Sequence, residues 1–430
     1  MRAFLLILAL SGTLTGALLL GAGPARAATA PLFPQAVLEP TRFADLPGWA
    51  QDDHAKALTA FRRSCGAIAR KGDRVTPPRP VFSALRPICA RAARLPKRPS
   101  DAAARRFFEK EFRPYTITGL EQANGFLTGY YEPEVEGSRT RSGDFATPLY
   151  ARPADLVIES PPGGGPPTNK SGAFRKVDGA LVPYHDRAAI EDGALGDEGA
   201  VVAWIRDPAD AFFAHIQGSV RVRLPDGEVL RLNYDGHNGQ PYTPIGRLLI
   251  ERGLVPREKM SMDAIRAYIA AHPEEGRALM RENRSYIFFR IAHELTAEDG
   301  AVGAQGLPLM AGRSIAVDKA IHVYGTPFYL DADLPIGPEG ASEPFERLMI
   351  AQDTGSAIIG PARADIFFGA GDEAGTVAGR IQHPGRFTLL LPRALDPARA
   401  RVPLPRPRPA TAPEPAPAAS LLPAAVSETP

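Results

Sequence analysis

The chain has 430 residues, of which 44% are hydrophobic and 23% charged, a composition that is ordinary for a globular protein and allows two or three domains. Its 44 prolines and 41 glycines favour a strand- and loop-rich fold with at least one disordered stretch. Without the two arginines of residues 1–27, the chain carries 48 basic and 48 acidic residues. This balance argues against a nucleic-acid partner, because such binding depends on basic charge.

The N-terminus has the layout of a secretory signal peptide. Arg2 precedes an apolar run from Phe4 to Leu20, and the small residues that follow predict cleavage after Ala27. A transmembrane anchor is the alternative, but hydroxyl residues interrupt the run, which is shorter than the ~20 apolar residues of a span. No cysteine lies near the predicted cleavage site. We therefore expect a periplasmic or secreted protein, not lipidated and without a stable membrane anchor.

Two helices are predicted in the first third of the chain. Apolar residues recur at helical spacing from Asp52 to Arg70, and Ser100 is placed to cap a second helix that carries phenylalanines. The two cysteines of the chain are Cys65 and Cys89. Export permits a disulfide between them, and two buried thiols are the alternative, which the sequence leaves open.

Strand patterns occur early and late in the chain, with a mixed segment between them. Residues 125–137 indicate strand and turn, and residues 220–232 predict a hairpin, followed by a glycine-rich loop and helices. Later strand patterns lie at 313–318, 328–334, 347–353 and 386–392. This order predicts one β-domain interrupted by an insertion. Residues 160–172 are predicted to be a loop, and the Pro/Ala-rich residues 396–430 a disordered tail.

Residues 347–375 are the densest candidate for a catalytic site. An apolar strand ends at Asp353, small residues such as Gly355 follow, and Asp365 comes twelve positions after Asp353, before an apolar run. Apolar surroundings disfavour the charged form of a carboxylate and raise its pKa. A carboxylic acid of raised pKa can protonate the leaving oxygen of a glycosidic bond. Aspartates that cap turns are the alternative for both residues.

Other kinds of site have weaker patterns. The run Asp353-Thr354-Gly355 is similar to the motif of pepsin-like aspartic proteases, but those need two such aspartates, so a protease would have to be a homodimer. The eight histidines are scattered without metal-ligand spacing. We expect no metal site and no cofactor. Among the aromatic residues, Tyr130 and Tyr131 are best placed to hold a sugar polymer.

Six ordered blocks of the sequence resemble the membrane-bound lytic murein transglycosylase A (MltA) family. Together they extend from about residue 120 to about residue 390. The blocks are GFLTGYYEPEVEGS (125–138), AWIRDPADAFFAHIQGSVRVRLPDG (203–227), YDGHNGQPYTPIGRLLIERG (234–253), SYIFFR (285–290), GRSIAVD (312–318) and QDTGSAIIG with RADIFFGAG (352–371).

The resemblance implies a mainly β fold with peripheral helices. Members of this family have a double-psi β-barrel domain that is interrupted by a second, smaller β-rich domain, with a groove for a glycan strand between them. In this chain the barrel would comprise residues 28–131 and 285–395, and the insertion residues 132–284. The implied partner is a peptidoglycan glycan strand, bound by a monomer, and association with other cell-wall enzymes stays open.

The resemblance also implies the chemistry. Such enzymes cleave the β-1,4 bond between N-acetylmuramic acid and N-acetylglucosamine, and the muramyl 6-hydroxyl attacks its own anomeric carbon to give a 1,6-anhydro end. Because this attack is intramolecular, one carboxylic acid can serve as general acid and then as base. The family pattern places that acid at Asp365 and gives Asp353 a supporting role. The implied substrate-binding residues are Thr128, Gly129, Tyr130, Tyr131 and Gly355.

Three departures from the family pattern are visible. Ser356 replaces the usual second glycine after the first aspartate, Ile359 replaces a frequent lysine, and the lipid-attachment cysteine of membrane-bound members is missing. A non-catalytic glycan-binding barrel module and a homodimeric aspartic protease are the other classes of protein that the sequence allows.

Overall fold

The computed structural model describes residues 33, 35–70, 80–120, 124–159 and 172–397. The predicted signal peptide lies outside these ranges, as do nearly all of the predicted loop at 160–172 and all but the first two residues of the predicted tail. The chain divides into residues 1–34, of which Phe33 is described, and residues 35–430. In the described ranges, no helix combines the length and apolar character needed to pass through a membrane.

Strands dominate the described part of residues 35–430. The strands are β1 (Ala36–Pro40), β2 (Phe112–Gly119), β3 (Gly125–Glu132), β4 (Glu134–Ser138), β5 (Thr147–Tyr150), β6 (Val157–Ile158), β7 (Ala173–Val177), β8 (Ala180–Pro183), β9 (Val201–Ile205), β10 (Ser219–Arg223), β11 (Val229–His237), β12 (Ile287–Ile291), β13 (Ser314–Val317), β14 (Pro327–Leu334), β15 (Glu343–Asp353), β16 (Arg363–Ala370) and β17 (Gln382–Pro392). The α-helices are α1 (His54–Arg70), α2 (Pro80–Ala93), α3 (Asp101–Glu111), α4 (Arg187–Glu191), α5 (Pro208–Gln217), α6 (Ile245–Glu251), α7 (Met262–Ala271), α8 (Pro273–Glu282) and α9 (Gly371–Arg380).

The first three helices form a layer that packs on the barrel strands β15 and β17. The Ser100 hydroxyl accepts a hydrogen bond from the Ala103 amide, which confirms the predicted cap of α3. A disulfide joins Cys65 of α1 to Cys89 of α2, with their Cα atoms 5.1 Å apart, so the structure decides the alternative that the sequence left open. Phe61 anchors the layer, since its ring contacts those of Phe107, Phe108 and Phe112.

Six strands close into a barrel in the order β17-β14-β15-β13-β16-β3, because β17 pairs with both β14 and β3. In this ring β13 runs parallel to β15 and antiparallel to β16, which in turn is parallel to β3. The late strand patterns predicted from the sequence correspond to β13, β14, the end of β15, and β17. The mainly β fold with peripheral helices is thus confirmed, whereas the double-psi crossing of strands stays a prediction.

A second sheet has the order β12-β11-β10-β4-β9-β5, and β6, β7 and β8 form a third. The predicted hairpin is confirmed, since β10 and β11 are antiparallel and Gly227 in their turn has φ +87°, which favours glycine. The strand β12 pairs with β11, although the predicted boundary at residue 285 assigned it to the barrel domain. Its apolar run suits burial in either sheet, so the sequence could not choose between them. The domain boundaries stay a prediction.

A buried ion cluster connects the barrel to the second sheet. Glu132, at the end of β3, is fully buried and accepts hydrogen bonds from Arg221 on β10 and Arg231 on β11, each at 2.9 Å. Both guanidinium groups also donate to the backbone carbonyl of Asp299. We call Glu132, Arg221 and Arg231 the Glu132 cluster. It holds β3 against β10 and β11 beside the strand segment that carries Thr128.

Candidate active site

The two candidate aspartates flank one residue of the barrel. Ala316 on β13 pairs with Asp353 on β15 and with Asp365 on β16, and Asp365 pairs in turn with Thr128 on β3. Because paired residues on neighbouring strands point to the same face of a sheet, these four residues form one row. Neighbouring strands are ~4.8 Å apart, so the two strands that carry the aspartates are separated by ~10 Å. We call this set the aspartate row.

A β-bulge brings Asp353 into the row. The register between β13 and β15 passes from Ala351 opposite Ile315 to Asp353 opposite Ala316, so that Gln352 is the extra residue. The Gln352 side chain is fully buried, donates to the Ala60 carbonyl and accepts from the Ser314 hydroxyl. These hydrogen bonds anchor the bulge, which re-aims the side chain that follows it.

Asp365 has a single hydrogen-bond partner among the described residues. The Thr128 hydroxyl donates to Asp365 Oδ1 at 2.6 Å. The side chain is partly accessible, but the flanking Ala364 and Ile366 are fully buried. Burial raises the pKa of the Asp365 carboxyl to about 6, against the opposing positive charge of Arg363 and the Thr128 hydrogen bond. Asp365 therefore holds a proton near neutral pH far more often than an ordinary aspartate does.

Asp353 is surrounded by donors instead. The amides of Ala304 and Thr354 donate to Oδ1, and the Tyr130 hydroxyl donates to Oδ2, all at 2.8 Å. Burial raises the pKa of Asp353, and these three hydrogen bonds oppose that rise. The pKa of Tyr130 is itself raised, by burial first and by the Asp353 charge second. Both oxygens of Asp353 are engaged, so its geometry suits a fixed anchor.

Successive residues of β3 point to opposite faces of the sheet, so the four residues of the Thr-Gly-Tyr-Tyr stretch divide into two pairs. Thr128 and Tyr130 point to the aspartates, as their hydrogen bonds show. Gly129 points to the opposite face, where a Cβ atom would lie 2.8 Å from the Cα atom of Ala378 in α9. Tyr131 points the same way as Gly129. The structure therefore brings two of these four predicted residues, Thr128 and Tyr130, to the aspartate row.

The remaining predicted residues have clear positions too. The Tyr131 ring is buried against Gly375 of α9, where an added Cβ atom would lie 2.8 Å from the ring. Gly355 is partly exposed and begins the turn that follows Asp353, in front of the buried Ile358. Tyr131 supports the packing of α9, and Gly355 stays beside the row.

Three residues near the row were not singled out by the sequence analysis, although Tyr242 was among the aromatic residues that it considered for sugar binding. Arg363 hydrogen-bonds Thr128, Lys319 lies within the electrostatic reach of Asp353, and Tyr242 within that of Asp365. Burial raises the pKa of Tyr242 to about 12, and the Asp365 charge adds to the rise. Strand alternation could have placed Arg363 on the same face as Asp365. The glycine-rich loop that carries Tyr242 has no sequence signal linking it to β16.

A separate cavity of about 590 Å³ lies among the helices beside the second sheet. Its walls include Arg187, Phe212, Arg266 and Tyr286, and neither aspartate lines it. Among the described residues, no group of histidine, cysteine and acidic side chains could hold a metal ion.

Comparison with known proteins relates this geometry to a family. Residues 126–290 match the family model of the MltA specific insert domain, and residues 313–391 match that of the 3D domain. The chain is 35% identical over 267 residues to the membrane-bound lytic murein transglycosylase A of Escherichia coli (strain K12). That match covers 61% of this chain and 65% of the E. coli protein, which is less than two thirds of its length.

Solved structures extend the similarity over more of the chain. The crystal structure of a membrane-bound lytic murein transglycosylase from Agrobacterium tumefaciens is similar with a TM-score of 0.74 and 38% identity, covering 83% of this chain and 98% of that one. E. coli MltA with bound chitohexaose is similar with a TM-score of 0.56 and 28% identity, covering 84% and 92%. This chain therefore belongs to the MltA family.

Proposed function

We propose that this protein is a lytic transglycosylase of the bacterial cell wall. It cleaves the β-1,4 bond between N-acetylmuramic acid and N-acetylglucosamine in peptidoglycan and leaves 1,6-anhydromuramic acid ends. Membership of the MltA family supports the reaction class, since relatives of this chain are lytic murein transglycosylases. The bound chitohexaose of the E. coli relative supports a glycan strand as the substrate.

One observation carries the assignment of the acid: the unequal hydrogen bonding of the two aspartates. Asp353 receives three hydrogen bonds over both oxygens, whereas Asp365 receives one, on Oδ1. A general acid needs an oxygen that can reach substrate and a pKa near the working pH. Asp365 has a pKa raised to about 6 and an Oδ2 without a hydrogen-bond donor among the described residues, whereas both oxygens of Asp353 are engaged.

The proton cycle then needs only Asp365. The protonated carboxyl gives its proton to the glycosidic oxygen as the bond to the anomeric carbon breaks, and the N-acetylglucosamine part leaves as an alcohol. The muramyl 6-hydroxyl bonds to the anomeric carbon and gives its proton to the carboxylate, which restores the acid. The Thr128 hydroxyl stabilises the carboxylate between these two steps, because hydrogen bonds to ionised groups are the stronger ones.

Asp353 has a supporting role in this proposal. Its hydrogen bonds connect Tyr130 on β3 to the amide of Ala304, in the segment between β12 and β13. This arrangement fixes the wall next to Asp365 and adds negative charge that raises the pKa of the acid. Thr128, Tyr130 and Gly355 are the predicted residues placed to contact a bound strand, whereas Gly129 and Tyr131 support the site by packing on α9.

The product end group tests the proposal directly. We would incubate the purified protein with purified peptidoglycan and identify the released muropeptides by mass spectrometry. The wild type should release 1,6-anhydro ends, and Asp365→Asn should lower the rate by more than ~10²-fold, because an amide can neither give nor take the proton. Asp333→Asn, the same change at an exposed site on β14, should keep full activity.

Each other outcome points to a different protein. Reducing ends that carry an added water would identify a hydrolase. A hydrolase would need a second catalytic carboxylate, and Asp353 would be the first candidate to test. No cleavage by folded wild type would favour a glycan-binding barrel module. Sensitivity to pepstatin and dimers in solution would favour an aspartic protease, which family membership argues against. Because murein lies outside the cytoplasm, the proposal requires export, which the signal peptide predicted for residues 1–27 would provide.

A further inference from the structure

Arg363 lies two residues before Asp365 on β16 and is half-buried beside it. Its Nη2 donates to the Thr128 hydroxyl at 2.8 Å, and its Nη1 donates to the Ala364 carbonyl at 2.5 Å. The guanidinium also lies 5.4 Å from the ring centre of Phe126 on the neighbouring strand. In the described part of the chain, its hydrogen-bond acceptors are a carbonyl and a hydroxyl, not a carboxylate. Its charge is therefore available to Asp365.

Two hydrogen bonds connect Arg363 to Asp365 through the Thr128 hydroxyl, and the direction of each is fixed. A guanidinium has donors and no acceptor, so Thr128 Oγ1 must accept from Arg363. The hydroxyl proton of Thr128 then points to Asp365 Oδ1, at 2.6 Å. Because Oδ1 accepts this hydrogen bond, the protonated form of Asp365 carries its own proton on Oδ2.

We propose that Arg363 is a positioning residue that acts through Thr128 to hold Oδ1 of Asp365 as a hydrogen-bond acceptor and so leaves Oδ2 to carry the transferable proton. The inference rests on the proposed function. In the reaction Oδ2 gives its proton to the leaving oxygen and later takes the proton of the attacking 6-hydroxyl. The same guanidinium offsets the negative charge that Asp365 bears between the two transfers.

The electrostatic surroundings of Asp365 agree with this role. Arg363 on its own strand is the largest influence that lowers the pKa of Asp365, followed by the Thr128 hydrogen bond from β3. Asp353 on β15 raises that pKa, and Tyr242 also lies within electrostatic reach of the carboxyl. Without Arg363, the Thr128 hydrogen bond alone would oppose the rise in the pKa of Asp365 that burial causes. The pKa would then lie above its present value of about 6.

Arg363→Met tests the proposal, because methionine keeps the aliphatic stem over Phe126 and removes the charge and the donors. The readout is the pH profile of 1,6-anhydro-muropeptide release. In wild type kcat/KM should fall as pH rises through the pKa of Asp365. In Arg363→Met we expect that fall to move ~1 pH unit higher. We also expect kcat to drop ~10-fold with KM changed less than about twofold. Arg386→Met, at an exposed position on β17, is the matched control.

Two further variants separate positioning from a merely structural role. Arg363→Lys keeps the charge, so its pH midpoint should stay near that of wild type even where the rate is only partly restored. A double variant of Arg363→Met with Thr128→Val should lose less rate than the product of the two single losses, because the positioning part of the Arg363 effect passes through Thr128. Rate losses that multiply would show that Arg363 does not act through Thr128.

An unchanged pH midpoint in folded Arg363→Met would overturn the proposal, as would an equal shift in Arg386→Met. These outcomes are distinct from failure of the proposed function. If Asp365→Asn were as active as wild type, the acid itself would be misassigned. If Asp365→Asn were inactive while Arg363→Met kept the wild-type pH profile, the Arg363 inference alone would fail.

Discussion

Glu132 and Asp365 lie on adjacent barrel strands, yet their surroundings differ in kind. Glu132 is fully buried and accepts hydrogen bonds from the guanidinium groups of Arg221 and Arg231. Asp365 is partly exposed and accepts one hydrogen bond, from Thr128. The Glu132 cluster neutralises its carboxylate with direct ion pairs, whereas Arg363 reaches Asp365 through a hydroxyl.

This difference shows that two carboxylates on adjacent strands can have different roles, one in the stability of the fold and the other in proton transfer. A buried carboxylate that two arginines pair and hydrogen-bond contributes to the stability of the fold, because its removal leaves uncompensated charge. A carboxylate in apolar surroundings with few donors exchanges its proton near neutral pH, at a cost to the folded state. Replacing each carboxylate by its amide should therefore have opposite effects on folding.

The largest effect is expected at the Glu132 cluster. Glu132→Gln should lower the free energy of unfolding by ~3 kcal/mol or more, because the buried guanidinium of Arg231 and the partly buried one of Arg221 lose their counter-charge. Urea unfolding followed by circular dichroism would measure the change. The matched control is Glu228→Gln, which breaks an exposed ion pair with Arg139 at 2.7 Å and should cost less than ~1 kcal/mol. Equal losses in the two variants would contradict the comparison.

Asp365→Asn should stabilise the fold at pH 7. Burial raises the pKa of Asp365 from 3.8 to about 6, and one pKa unit corresponds to about 1.4 kcal/mol. Since the side chain is partly accessible, we expect a gain of ~1–2 kcal/mol in the free energy of unfolding.

The pH dependence of this gain has a definite sign. A raised folded pKa gives wild type a stability contribution that is complete below the unfolded value of 3.8 and is lost as pH rises through about 6. The amide does not titrate. The advantage of Asp365→Asn should therefore be smallest near pH 4 and complete by pH 7, and an advantage independent of pH would contradict the assignment.

The smallest expected effect is a difference in activity between variants of the two adjacent tyrosines. Tyr130→Phe removes one of three donors to Asp353, and we expect a ~10-fold lower rate of muropeptide release, because a hydrogen bond to a charged group is worth about 1.5–3 kcal/mol. Tyr131→Phe should change the rate less than about twofold, because the Tyr131 ring packs on α9. Equal losses would mean that Tyr131 also contacts the substrate.

Much of the fold and part of the candidate site could be predicted from the sequence. Alternating and apolar runs indicated β13, β14 and β17, and the Pro-Asp-Gly turn indicated the hairpin of β10 and β11, because these signals lie within a few residues. Asp365 was recognisable from its apolar neighbours and from the family pattern. Strand alternation could have shown that Tyr130 and Tyr131 point to opposite faces, although the sequence analysis predicted both as substrate-binding residues.

What the sequence determined by itself was local: helix caps, turns, strand runs, and an aspartate whose apolar neighbours raise its pKa. Only the tertiary structure decided which distant residues meet. Thr128 and Asp365 are 237 positions apart, and they touch because β3 and β16 pair in the register that places them opposite each other. The bulge at Gln352, the sheet that takes β12 and the direction of the Arg363 hydrogen bond depend in the same way on contacts between segments, which no local pattern encodes.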